Sequence, residues 1–264
     1  MKREQLLHNL EVPESIVDAV LDTDTYNEVD DQFALSYMIS SQEKINVKAI
    51  YAAPFFNKNS LSPKDGMEKS YNEILKILTL AKREDLKQYV FKGSTDYLKN
   101  EFEMQISPAA EDLAKRAELY SPNNPLYVVS IGAITNVASA LKLNPNIKEN
   151  IVIVWLGGHA RDYKDTKEFN LWQDVAASRV VFGSGAPIVQ LPCMGVVSDF
   201  SVTEPILKAN LSLKNELCDY LLTHTIDECK KIFNTASFSK VIWDVTAVAW
   251  LLNDNDKFME SRIT

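Results

Sequence analysis

Between Glu4 and Glu43 the sequence has no lysine and no arginine, against ten acidic residues, five of which fall between Asp22 and Asp31. From Lys44 to Thr264 the 26 basic and 26 acidic side chains cancel, and only Lys2 and Arg3 precede the acidic stretch. The formal charge of −8 therefore arises wholly in the first sixth of the 264-residue chain. A chain with this balance has little with which to displace counterions from phosphates, so no nucleic-acid partner is expected. Cysteine is scarce: Cys193, Cys218 and Cys229 form an odd set without CxxC spacing, which argues against disulfides and zinc and suits a reducing compartment. Uninterrupted apolar runs long enough to span a bilayer, about 18 residues, are also missing, so no membrane association is expected. The segment MKREQLLHNLEVPES has neither an apolar stretch nor a small-residue cleavage site, and the expected location is cytoplasmic.

What is present is an ordinary globular composition, 46% apolar and 24% charged, arranged in two alternating patterns. Short β-branched or apolar runs occur at 16–21, 45–51, 126–130, 151–156 and 187–191. Amphipathic stretches at 31–40, 66–80, 109–120, 135–143 and 174–183 alternate with them, and 214–233 and 243–252 read as later helices. Near-continuous apolar strands separated by helices predict an α/β fold, a mostly parallel sheet with helices on both faces, in a single domain over residues 1–264. Ligands of such sheets bind beyond the carboxyl ends of the strands. The polar residues there are Asp22 and Asp24, Asn57, the turn 130–136, Gly157–Gly158 and Asp199.

The segment VLDTDTYNEVDDQFAL places Asp22 and Asp24 at the end of the first strand and Asp30 and Asp31 at the start of the next helix. Alternate strand residues share a face, so Asp22 and Asp24 are expected to converge. Helix capping accounts for Asp30 and Asp31 alone. Four convergent carboxylates with no nearby cation in the sequence would repel one another, and a bound metal is the simpler reading. All-oxygen ligation points to Ca²⁺ or Mg²⁺.

Two families share features of this turn. DTDT after a strand resembles the DxDxT motif of haloacid-dehalogenase-type phosphatases, which implies Asp22 as nucleophile, Asp24 as acid/base and Mg²⁺ as cofactor. That match ends after ten residues, because the later strand ends carry no acidic pair. The nucleoside hydrolases match at several separate places in the same order. VLDTDTYNEVDD resembles their DxDPGxDD turn with a two-residue expansion, and FFN at 55–57 resembles VxGN. VVSIGAITNVASAL resembles the GPLTNxAxAL segment, WLGGHA the MGG segment, KEFNLWQDVAAS the EFNxxxDPEAA segment and IWDVTAVAW the late HDPxAxA segment. Together these span residues 16–250.

The second resemblance implies a Rossmann-like fold and Ca²⁺-dependent hydrolysis of the N-glycosidic bond of a small-molecule ribonucleoside, giving ribose and free base, as in purine and pyrimidine salvage. On the matching positions Asp24, Asp31, Asp244 and the backbone carbonyl of Ile131 bind the metal, and Asp24 is also the general base. Asp30 and Asn57 hold the ribose hydroxyls, Glu168 and Asn170 take the 5′ end of the sugar, and Asp22 supports the metal ligands by hydrogen bonding. Family habit implies a homodimer or homotetramer. Read locally, Asn170 and Asp174 also fit turn and N-cap positions, and Asp244, four residues after Lys240, also fits an ion pair with it. The late motif carries Trp243 where many members have a histidine acid; tryptophan stacks on a base but does not protonate it. His159, after the Gly157–Gly158 turn, and His224, on the 214–233 helix, are the remaining candidates to contact the base. The turn expansion and Trp243 leave a third reading, a relative that binds ribosides without cleaving them.

Overall fold

The five apolar runs become the backbone of a parallel sheet in the computed structural model, which describes residues 1–233 and 237–263. The strands are β1 (Val17–Thr23), β2 (Ile45–Ala52), β3 (Val90–Lys92), β4 (Leu126–Ser130), β5 (Ile151–Leu156) and β6 (Ile188–Leu191). A separate antiparallel pair follows, β7 (Ser201–Thr203) with β8 (Ser239–Val241). The helices are α1 (Arg3–Asn9), α2 (Asp30–Ser40), α3 (Pro63–Leu80), α4 (Pro108–Arg116), α5 (Thr135–Leu143), α6 (Phe169–Gln173), α7 (Val175–Phe182), α8 (Glu204–Leu211), α9 (Glu216–Phe233) and α10 (Val245–Leu251).

The six-stranded sheet runs in the order β3-β2-β1-β4-β5-β6, with every neighbour pair parallel. Strand order reverses between β1 and β4, which opens a crevice beyond their carboxyl ends. The continuous hydrophobicity of the central strands has a direct cause, since β1, β4 and β5 are buried on both faces, whereas the edge strands β3 and β6 are only partly buried. Along β1, Val17, Ala19 and Leu21 enter one core while Val20 enters the other. β5 divides in the same way, Val152, Val154 and Leu156 against Ile151, Ile153 and Trp155. Apolar residues of α2, α3 and α10 complete the first core, and those of α4, α5 and α7 the second.

Trp155 shows how this packing reaches the crevice. Its ring is fully buried, its indole N–H donates to the Gly132 carbonyl (3.2 Å), and Gly132 in turn lies against Asp24, so closely that a Cβ there would stand 3.1 Å from the Asp24 carboxyl carbon. Trp155→Ala is expected to cost about 3–5 kcal/mol from the lost burial and the cavity left behind, read as a fall in melting temperature of roughly 10 °C.

Several elements depart from the sequence reading. β3 has only three residues, too few to show a periodicity, and α6 only five. The β7–β8 pair and α8 lie in a stretch where apolar and polar residues follow neither period cleanly. α1 forms on a segment with few apolar positions and is anchored instead by polar contacts: the Gln5 and Asn9 side chains donate to the Pro122 carbonyl (3.0 and 3.1 Å). Asp199 is exposed beside β7 and is not among the carboxylates gathered at the crevice. Among the described residues no helix is long and apolar enough to cross a membrane.

Candidate active site

β1 ends at Thr23, so the alternation that would bring Asp22 and Asp24 together stops between them. Asp22 instead belongs to the β4 side of the crevice. Ser130 Oγ (3.1 Å) and Asn136 Nδ2 (2.8 Å) donate to its two carboxylate oxygens, and the Ile131 N–H donates to its carbonyl (2.8 Å). Burial nevertheless dominates, and the Asp22 carboxyl is pushed up to about 7 against the opposing pull of these two hydrogen bonds. Full burial and two donors on the Asp22 carboxyl do not favour its attack on phosphorus, and so do not favour the phosphatase reading.

Asp24, Asp30, Asp31 and Asp244 form the carboxylate cluster. The Asp30, Asp31 and Asp244 ligand atoms lie within 4.8 Å of one another, and Asp24 joins through Asp31. All four are buried. The local sequence explains the convergence: Asp24 follows β1 directly, Asp30 and Asp31 open α2, and Asp244 immediately precedes α10, a helix packed on α2. α2 has no side-chain N-cap bond, so neither aspartate is spent on capping in that way. Thr23 Oγ1 donates to Asp31 Oδ1 (2.6 Å). Both carboxylate oxygens of Asp24 and Oδ1 of Asp30 are buried without a hydrogen-bond partner among the described residues.

Burial is the first cause of the proton affinities here, and mutual repulsion the second. The Asp31 carboxyl is pushed up to about 8 by burial and by Asp30, against the hydrogen bonds it accepts. Asp24 and Asp244 are driven well above the usual carboxylate range by burial and by their carboxylate neighbours. Asp30 rises less, because Lys240 opposes the burial. Orphaned carboxylate oxygens crowded in low dielectric fit a bound hard cation, whose charge would offset both the desolvation and the repulsion.

The other expected residues fall into three groups. Asn57 lies near the cluster, its Nδ2 donating to Asn27 Oδ1 and its Oδ1 accepting from the Asn59 N–H (2.8 Å). Asn27 belongs to the expanded turn, so the expansion itself reaches the expected sugar-contacting side chain. On the β5 side, Glu168 caps α6 by accepting from the Asn170 and Leu171 N–H groups (2.8 and 2.9 Å), and also accepts from Gly158 (2.7 Å). Gly158 has φ +76°, a conformation that favours glycine. Asn170 Nδ2 donates to the carbonyls of Ile131 (3.0 Å) and Leu156 (3.1 Å). A carbonyl has two lone pairs, so the Ile131 oxygen retains one for another partner. Asp174 acts as the N-cap of α7, accepting from Ala177 (2.9 Å), and also accepts from Thr135 Oγ1 (2.7 Å) and Leu98 (2.9 Å).

The third group would face the base. His224 lines a cavity together with Tyr26, Asn27, Asn57, Cys229 and Lys240; it stacks on Tyr220 (5.3 Å, 12°) and burial holds its pKa below the ordinary value. His159 lies on the β5 side, its Nδ1 accepting from the Met194 N–H (3.3 Å) and its ring against Tyr163 (4.8 Å). Trp243 is half-buried against the first core, and its indole N–H has no partner among the described residues.

Sequence reasoning missed two side chains and gave a third only one of its neighbours. Lys240, carried in on β8, brings a cation to the acidic turn: its ammonium pairs with Glu28, stands 3.5 Å from Asp30 and lies 4.5 Å from the Trp243 ring centre. The ion pairs it makes are with these two acids rather than the anticipated Asp244. Tyr97 and Gln173 are the other two, the Tyr97 hydroxyl and the Phe56 N–H both donating to Gln173 Oε1 (2.6 and 3.0 Å). Asp24 and Asp174 help raise the Tyr97 pKa, after burial.

Comparison with known proteins agrees with this geometry. The chain belongs to the inosine-uridine preferring nucleoside hydrolase family, whose profile matches residues 19–264, and so to the hydrolases of ribonucleoside N-glycosyl bonds. It is 27% identical over 258 residues to a pyrimidine-specific ribonucleoside hydrolase of Salmonella paratyphi A, covering 84% of this chain and 76% of the relative. Among solved structures, a purine-preferring ribonucleoside hydrolase from Gardnerella vaginalis has a TM-score of 0.67 at 24% identity, covering 88% of this chain and 78% of that one. A plant nucleoside hydrolase has a TM-score of 0.69 at 19% identity, covering 89% and 78%. At these identities the structural likenesses establish the fold.

Proposed function

We propose that this protein is a calcium-dependent ribonucleoside hydrolase of the cytoplasm that releases ribose and a free nucleobase for salvage. The observation that carries the proposal is the buried cluster of Asp24, Asp30, Asp31 and Asp244 with orphaned oxygens at the reversal of strand order. Asp24, Asp31, Asp244 and the Ile131 carbonyl would hold Ca²⁺, an ion suited to such oxygen-rich sites. Bound there, it supplies Lewis acidity toward a water and a grip on vicinal sugar hydroxyls.

The remaining chemistry belongs to side chains. Hydrolysis of an N-glycosidic bond passes through an oxocarbenium-like sugar, as in glycoside hydrolysis, and needs a base for the attacking water. Asp24 fills that role, since among the described residues its two oxygens have no hydrogen bond to break and it sits beside the carboxylates that would hold the ion. Asp30 and Asn57 orient the ribose hydroxyls. Asp22, fixed by Ser130 and Asn136, keeps β1 and β4 in register beneath them. Glu168 and Asn170 form the wall at the 5′ end of the sugar.

Incubation of the purified protein with calcium and inosine, uridine or p-nitrophenyl riboside tests the proposal. Release of ribose from at least one of them is the expected result. Binding of all three without ribose release would instead favour a riboside-binding protein.

A further inference from the structure

Cleavage of the C1′–N bond leaves an electron pair on a base nitrogen, and purine and pyrimidine anions are poor leaving groups unless a cation or a proton donor meets them. The cavity beside the carboxylates has few such groups. Lys58 and Tyr26 are exposed, whereas His224 is held toward its neutral form by burial. Lys240 is buried, lines the same cavity as Asn57 and His224, and also touches Asp30. It thus links the carboxylate cluster, through Asp30 at 3.5 Å, to the neighbouring cavity.

Its setting fixes it there. The backbone is pinned by β8 pairing with β7, Lys240 opposite Val202. Among the described residues Glu28 accepts a hydrogen bond from the ammonium, and Asp30, at 3.5 Å, is an ion-pair neighbour. An ammonium has three donors, so donor capacity remains for a further acceptor. Trp243 lies beneath it, with an indole N–H that has no partner among the described residues.

We propose that Lys240 is a catalytic residue that stabilises the departing nucleobase. The inference rests on the hydrolase reading above. The water oxygen bonds to C1′ and gives its proton to Asp24, while the C1′–N bond breaks and its electron pair leaves on the base nitrogen. The anionic base accepts a hydrogen bond from the Lys240 ammonium, which stays charged throughout, and then takes a proton from solvent as Asp24 returns one. Glu28 and Asp30 hold the ammonium in place, and Trp243 offers a stacking face.

The test compares Lys240→Met, Lys240→Gln and Lys240→Arg with the unmodified calcium-loaded protein on uridine, inosine and p-nitrophenyl riboside. Nitrophenolate leaves without help, so the three substrates separate leaving-group assistance from sugar binding. Loss of a donor of this kind lowers kcat by about 10²–10³-fold. That fall is expected for Lys240→Met and Lys240→Gln on uridine or inosine, with partial recovery in Lys240→Arg. On p-nitrophenyl riboside the change should stay within roughly fivefold, and calorimetric affinity for free uracil or hypoxanthine should drop in the same two variants. Equal losses on all three substrates would place Lys240 in support of the carboxylates and overturn the proposal, as would no loss on any. Absence of ribose release by the unmodified protein would defeat the hydrolase reading itself, and the proposal with it. Circular dichroism identifies a variant that does not fold, and the comparison then rests on the other two.

Discussion

Asp24→Asn should lower kcat for ribonucleoside hydrolysis by about 10³-fold or more, because one isosteric change removes the general base and a proposed metal ligand together. The same substitution has a second, opposite consequence. Without metal, Asp24 is a buried carboxyl beside three others, with neither oxygen hydrogen-bonded among the described residues. Replacing it by a neutral amide removes desolvation and repulsion at once. In a chelator the variant should therefore be more stable than the unmodified protein, by about 1–3 kcal/mol. Lower activity with higher metal-free stability, measured by kinetics and thermal melts, is a pairing that simple loss of folding does not produce. A variant both inactive and less stable in chelator would remove the electrostatic argument.

Withdrawal of calcium should have the second large effect. A ligand present at 100 times its dissociation constant stabilises the folded chain by about 2.7 kcal/mol, so chelation should lower the melting temperature by roughly 5–10 °C. The size of the effect should depend on pH. Unfolded, aspartates release their protons near 3.9; folded and metal-free, Asp22 holds its proton to about 7 and Asp31 to about 8. The folded chain thus binds more protons than the unfolded chain across that interval, and stability must fall as pH rises through it. Metal-free melts should show the loss between about pH 4 and pH 8, most of the carboxylate penalty being absent at the acid end. Calcium displaces those protons, so its affinity should rise over the same interval. A metal-free melting temperature that climbs from pH 5 to pH 8 would contradict this account of the cluster.

The arrangement of the sheet was legible because burial on both faces writes itself into the strands as unbroken apolar runs. The acidic turn was legible for a different reason: Asp22, Asp24, Asp30 and Asp31 are close in sequence, and the strand-to-helix turn keeps them close in space. β1 runs two residues beyond the apolar run at 16–21, which puts Asp22 inside the strand. After Thr23 the chain leaves the strand, so Asp22 pairs with Ser130 and Asn136 while Asp24 joins Asp31.

Lys240 was legible only against Asp244, four residues on, for a reason of distance. It lies 212 residues from Glu28, and it reaches the cluster on a three-residue strand whose pairing has no periodic signature. The cluster thus contains a protein cation that the run of uncompensated acids in residues 4–43 did not foretell. Gln173 and Tyr97 were hidden likewise, since their contact joins α6 to the loop after β3. Glu168, Asn170 and Asp174 show that capping and site-building coincide here: Glu168 and Asp174 satisfy helix N-termini, while Asn170 holds the Ile131 carbonyl that borders the carboxylates.

The central claim is that calcium held by these buried carboxylates makes the protein a ribonucleoside hydrolase. The most direct test is ribose release from uridine and inosine by chelator-treated protein, followed as Ca²⁺ is titrated back. Activity absent in chelator and restored by calcium with a saturable dependence, for the unmodified chain and not for Asp31→Asn, is the predicted result. Ribose release that persists in chelator, or that calcium restores equally in Asp31→Asn, would contradict it.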